Sequence, residues 1–142
     1  MRLLKLELLN LASLDNPEGE VIDFENGPVG RCNIFSIVGP TGSGKSTILD
    51  AISLALFGTA PRYHTGTGRK FRNTIYSGAG NEPDIAPKDC RNILTRGKKS
   101  CYAKLTFLAN NGHTYRAEWH TGFRRKKYSC LLYTSPSPRD TR

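Results

Sequence analysis

No apolar stretch in this 142-residue chain approaches the ~20 residues that a membrane span requires. Nor does the N-terminus carry a long apolar segment. Lys5 and Glu7 interrupt the run that follows Met1, which argues against a signal peptide. Cysteine is sparse, and Cys32, Cys90, Cys101 and Cys130 form no CxxC pair, so neither a zinc ribbon nor a dithiol redox centre is indicated. Reduced thiols and a cytoplasmic location are the expectation, with no membrane partner. The three histidines, His64, His113 and His120, are scattered, which disfavours a metal site of their own. No internal repeat is visible. Acidic residues are few, 12 against 21 lysines and arginines.

That imbalance is local. Residues 1–60 carry a net charge of −3, whereas residues 61–129 carry +11. Asymmetry of this kind points to a polyanionic partner, here nucleic acid. A solvated face, or a surface matched to an acidic protein, is the ordinary alternative. At 37% hydrophobic residues the chain can bury a core, and its length suits one domain or a large piece of one.

One run is specific. Gly39, Pro40, Thr41, Gly42, Ser43, Gly44, Lys45, Ser46 and Thr47 fit the phosphate-binding P-loop pattern, a glycine, four residues, then Gly-Lys-Ser/Thr. The apolar residues 34–38 before it predict a buried strand, and residues 48–57 after it predict a helix. The spacing has a chemical reason. Glycines let the backbone wrap closely around a triphosphate, and the amide N–H groups then form a nest of donors. The helix adds its positive end at the same spot. A nucleoside triphosphate with Mg²⁺ is the expected ligand. Lys45 should reach the β- and γ-phosphates, and the Ser46 hydroxyl should ligate Mg²⁺. Thr47 would support the α-phosphate. Lys45 and Ser46 are thus the candidate catalytic residues. Asp50, one turn into the helix, is read as a structural or capping residue rather than a magnesium ligand, and Asn33 as a turn residue.

Strands are expected at residues 2–9 and 20–25, with turn chemistry at residues 16–19 and 26–28. Residues 58–90 show no clear period and read as a long loop region. Residues 100–108 alternate as a strand, Asn110, Asn111 and Gly112 form a hairpin turn, and residues 114–120 pair back. Residues 124–127 then sit at the next turn, entering a further strand. Trp119 is expected in the core. The order implies an α/β fold with two sheets, one carrying the P-loop and one antiparallel.

Residues 130–142 stand apart. The eleven residues from Cys130 to Asp140 are identical to one reading frame of a common transposase-type sequencing adapter. Residues 1–129 are therefore read as protein and residues 130–142 as a non-native tail. On this reading the tail packs on nothing that the fold requires.

Several segments resemble the SbcC exonuclease subunit family. They are Leu4-Lys5-Leu6-Glu7-Leu8-Leu9-Asn10-Leu11-Ala12-Ser13-Leu14, the acidic strand Ile22-Asp23-Phe24, and the P-loop block through Leu49-Asp50-Ala51-Ile52. Leu56-Phe57-Gly58-Thr59-Ala60-Pro61-Arg62, Ile93-Leu94-Thr95-Arg96-Gly97 and Tyr115-Arg116-Ala117-Glu118-Trp119 follow the family too. The P-loop with Leu-Asp-Ala-Ile is shared with the wider SMC and RecF relatives. The resemblance implies the N-terminal lobe of an ABC-type ATPase head at the ends of a long coiled coil. Two heads would sandwich ATP, and their closure would gate an SbcD-like nuclease subunit that cuts double-stranded DNA ends. It also implies that the loop bearing Ser13 approaches the adenine or ribose, with Pro61, Arg62 and Tyr63 on the other side. The glutamine loop, signature motif, Walker B strand and zinc hook have no counterpart here, so these residues alone should not hydrolyse ATP. Two alternatives remain open: an SMC- or RecF-like DNA-organising ATPase without a nuclease, and a DNA-binding lobe with an inert P-loop.

Overall fold

A computed structural model describes residues 1–61, 90–95, 97–124 and 127–136. Five strands form one antiparallel sheet: β1 (Arg2–Leu9), β2 (Glu20–Asp23), β3 (Ser100–Leu108), β4 (Thr114–Arg124) and β5 (Lys127–Pro136). Their order across the sheet is β2-β1-β3-β4-β5. A single helical turn, α1 (Gly27–Gly30), and a longer helix, α2 (Lys45–Phe57), complete the regular elements, with a short 3-10 turn at Cys90–Ile93.

Alternation decides which face of the sheet is buried. Leu6 pairs with Leu105, which pairs with Ala117; Leu8, Ala103 and Trp119 form the next row. These six side chains are buried and point to the same side. Helix α2 covers them. Its buried positions are Thr47, Asp50, Ala51, Leu54 and Ala55, a stripe at the helical period. Small alanines at 51, 55, 103 and 117 let helix and sheet approach closely around the bulk of Trp119 and Leu54. Trp119 is fully enclosed, in agreement with its expected core role. Trp119→Ala would leave a large cavity and should cost about 3–5 kcal/mol. Denaturant unfolding of the complete protein checks this as a shift in midpoint.

The opposite face carries charge. Arg116 spans Glu7 at 3.2 Å and Glu118 at 3.5 Å, and Lys104 meets Glu118 at 3.5 Å. These neighbours bury Glu118 on a face that no described helix covers. Burial by itself would raise the Glu118 carboxyl. The hydrogen bond from the Tyr133 hydroxyl and the charges of Arg116, Lys104 and His120 outweigh it and hold the carboxyl below its ordinary value. His120 stacks on Tyr133 with ring centroids 5.7 Å apart, and burial pushes its imidazole below its ordinary value.

The sequence expectations meet this fold unevenly. The strand at 100–108, the 110–112 turn and the returning strand are present, and the turn closes through Gly112 N–H to Ala109 O at 3.1 Å. The helix starts earlier than expected, at Lys45. Three corrections are needed. Residues 34–38 do not form a strand: Ile34 is 90% exposed and Val38 83%, and no ladder pairs with them. A strand needs a neighbour, and no described segment offers one. For the same reason the second, P-loop-bearing sheet is absent among the described residues. Finally, residues 130–136 do not lie apart. They belong to β5, an edge strand paired with β4 from Arg124↔Lys127 to Tyr115↔Pro136. Leu131, Leu132 and Tyr133 nevertheless stay about half exposed or more. Most of the 58–90 loop region lies outside the described residues.

Candidate nucleotide-binding site

Residues 39–43 form an exposed loop that leads through the buried Gly44 directly into α2. The turn closes through Ser43 N–H to Pro40 O at 3.2 Å, and the first helical bond runs from Ile48 N–H to Gly44 O at 3.1 Å. Gly42 and Gly44 lie in the left-handed region, with φ of 82° and 99°. Side chains rarely adopt these values. At Gly44 there is also no space, since a Cβ would come within 2.7 Å of Leu14 Cδ2. The sequence pattern is therefore used here for backbone shape and for close packing.

The predicted residues converge. Lys45 lies on the first turn of α2, and its ammonium turns back over the loop to donate to Gly39 O and, at 2.8 Å, to Pro40 O. Ser46 is exposed beside it, whereas Thr47 is buried against the core. The N–H groups of a helix's first turn lack an intrahelical acceptor, so this loop presents donors, a lysine and a hydroxyl on one open surface. Such a set fits a polyphosphate with a hard divalent cation. Pro40, Thr41 and Ser43 are exposed along the same rim. Asp50 is buried in the second turn, as suits a structural residue, and Asn33 is exposed in a bend.

Ser13 joins the same surface. Its hydroxyl donates to Gly42 O at 3.4 Å, and its neighbour Leu14 packs on Gly44. The segment of residues 10–15 is thus laid against the phosphate loop. Sequence reasoning missed what holds it there. Thr95 donates its hydroxyl to Ala12 O at 2.8 Å and its N–H to Asn10 O at 2.9 Å. Lys98 pairs with Asp15 at 3.2 Å. No spacing links residues 10–15 to residues 93–98, which lie more than 75 positions away. Arg62 and Tyr63 lie outside the described residues.

Comparison with known proteins fits this arrangement. A profile of the AAA domain family matches residues 5–132. The chain belongs to this family. It is 41% identical over 139 residues to the SbcC component of the SbcCD nuclease of Pseudomonas aeruginosa, covering 95% of this chain and 10% of that protein. The protein of the same name from Rhodobacter capsulatus is 39% identical over 134 residues, 94% of this chain and 10% of its own length. The probable DNA double-strand break repair Rad50 ATPase of Aquifex aeolicus is 34% identical over 118 residues, 83% of this chain and 9% of that protein. The resemblance to SbcC noted in the sequence therefore holds across nearly the whole chain. The chain spans about a tenth of the length of the curated relatives it matches. Among the described residues no helix is long and apolar enough to cross a membrane.

Proposed function

We propose that residues 1–129 are the N-terminal lobe of an ATP-binding head that drives a DNA-end-processing nuclease. The observation that carries this is the loop of residues 39–44 feeding into α2, with Lys45 over its mouth at 2.8 Å from Pro40 O. The AAA domain match and the names of the relatives support it. The ATP phosphates would lie on the loop N–H groups of Gly42, Gly44 and Lys45. Lys45 would exchange its carbonyl partners for the terminal phosphates, which offer a formal charge where the loop offers only dipoles. Ser46 would hold Mg²⁺, and Thr47 would brace the α-phosphate end. Bound Mg²⁺ neutralises charge between the β- and γ-phosphates. Ser13 would line the nucleoside side of the site. Residues 130–142 are read as adapter-derived.

The exposed run of residues 34–38 supports the reading of a lobe. An apolar strand-former with no ladder suits a sheet completed by further chain, in line with relatives roughly ten times longer. We read the complete protein as a cytoplasmic ATPase whose heads pair around ATP and gate an SbcD-like nuclease acting on double-stranded DNA. Reconstituting the complete chain with that nuclease tests this. Degradation of blunt DNA ends should require ATP. End degradation that is the same with and without nucleotide would refute the gating role and leave the inert-loop alternative.

A further inference from the structure

Residues 10–15 form a strap whose shape is not one that its sequence prefers. Asn10 has φ of 55° and Ala12 has φ of 48°. Asparagine tolerates this left-handed region, but alanine does not. Such a conformation persists only where the surroundings hold it, and it clusters at ligand clamps. Here the holding group is identifiable. Thr95 bonds the carbonyls of both left-handed residues, through its N–H to Asn10 and through its hydroxyl to Ala12. Ala12 N–H answers with a bond to Ile93 O at 2.6 Å, and Leu11 bridges to Leu94. Thr95 and Leu11 are buried, and Asp15 and Lys98 tie the far end of the strap at 3.2 Å.

The other side of the strap meets the phosphate loop, through Ser13 on Gly42 O and Leu14 on Gly44. Force applied at Thr95 is therefore transmitted to the two glycines that shape that loop. We propose that Thr95 is a positioning residue for nucleotide binding: it clamps the strained strap so that Ser13 and Leu14 fix the geometry of the phosphate loop. The proposal rests on the phosphate-loop reading above. It assigns a role to a residue that touches no loop atom itself, in a segment about 50 positions beyond the loop.

The test is titration of the complete protein with Mg²⁺ and ATP carrying a fluorescent label on its ribose. Thr95→Val keeps the shape and removes the hydroxyl, so affinity should fall about five-fold, the usual worth of one such hydrogen bond. Thr95→Ser restores the hydroxyl and should bind like the parent. Adding Ala12→Gly to Thr95→Val should recover most of the loss, because glycine takes the left-handed conformation without a clamp. A merely structural threonine would lower thermal stability without this pattern. Wild-type affinity in Thr95→Val, or a loss that neither serine nor the added glycine restores, overturns the proposal. Should the valine variant not fold, Leu14→Ala, which leaves the Thr95 anchor intact, serves instead. Weaker binding supports the proposal, and unchanged binding overturns it. Lys45→Ala in the same titration separates the two readings. If it weakens binding at least ~10-fold while Thr95→Val does not weaken it, only the clamp fails. If it binds like the parent, both fail.

Discussion

Lys45→Ala in the complete protein should weaken ATP about 10- to 100-fold, the range of a charge-assisted hydrogen bond, and should remove hydrolysis. The argument comes from what Lys45 touches. Its ammonium lies on two carbonyls of an exposed loop, Gly39 O and Pro40 O. Alanine leaves those carbonyls to water, so the folded state should lose little. A backbone nest of N–H groups remains, but dipoles alone do not replace a point charge beside the terminal phosphates. Binding and stability should therefore separate: thermal unfolding without nucleotide stays close to that of the parent, and the nucleotide-dependent rise disappears. Isothermal titration and a thermal scan with and without Mg²⁺ and ATP check both halves. Turnover equal to the parent's would end the P-loop assignment.

The parts of this molecule that were legible in the sequence are those governed by local chemistry. The glycine spacing of residues 39–44 announced a loop that only glycine can build, and Gly42 and Gly44 take the positive φ values that explain it. The β3–β4 hairpin was equally open, because alternation and Asn110-Asn111-Gly112 are both short-range signals. Residues 34–38 show the converse. Their apolar run reads as a strand, yet strand formation is a property of pairs, and no described segment pairs with them. The strap was illegible for a different reason. Ala12 as a residue type does not foretell a left-handed backbone, even though Asn10 tolerates one; the bonds from Thr95 hold it across the fold. Thr95 looked informative only as part of a familiar segment, not as a clamp. Glu118 is similar. An acidic residue on an uncovered sheet face reads as solvated, but Arg116, Lys104 and Tyr133 enclose it and hold its proton off. β5 was legible only at its start: a strand is expected after the 124–127 turn, but residues 130–136 looked foreign to any strand, and an edge strand asks little of side chains beyond backbone pairing with β4.

Replacing the basic residues at one end of the sheet with glutamine should cut DNA affinity and flatten its salt dependence. The charge of residues 61–129 is dispersed in the sequence, but the topology gathers part of it. Ser100 lies opposite Gly122, and β4 turns into β5 at Arg124↔Lys127. Lys98 and Lys99, just before β3, therefore share one end of the sheet with Arg124 and Lys127. Asn10 Nδ2 donates to Ser100 O at 3.0 Å, so the strap that borders the phosphate loop reaches the same end. DNA held there would lie beside the nucleotide site. The two sets are not equivalent. Lys98 is already paired with Asp15 at 3.2 Å, whereas Lys99 is exposed. The four residues 124–127 should thus contribute more than the lysine pair. Each DNA phosphate left without its cation should flatten the plot of log affinity against log salt by about 0.9. Sequence preference should be slight before and after, because bonds to phosphates carry no base information. The measurement is duplex affinity of the complete protein with ATP, across a salt series, with Lys98 and Lys99 changed in one variant and residues 124–127 in another. If neither variant alters affinity or slope, this end of the sheet is a solvated face, and DNA binds elsewhere in the complete assembly.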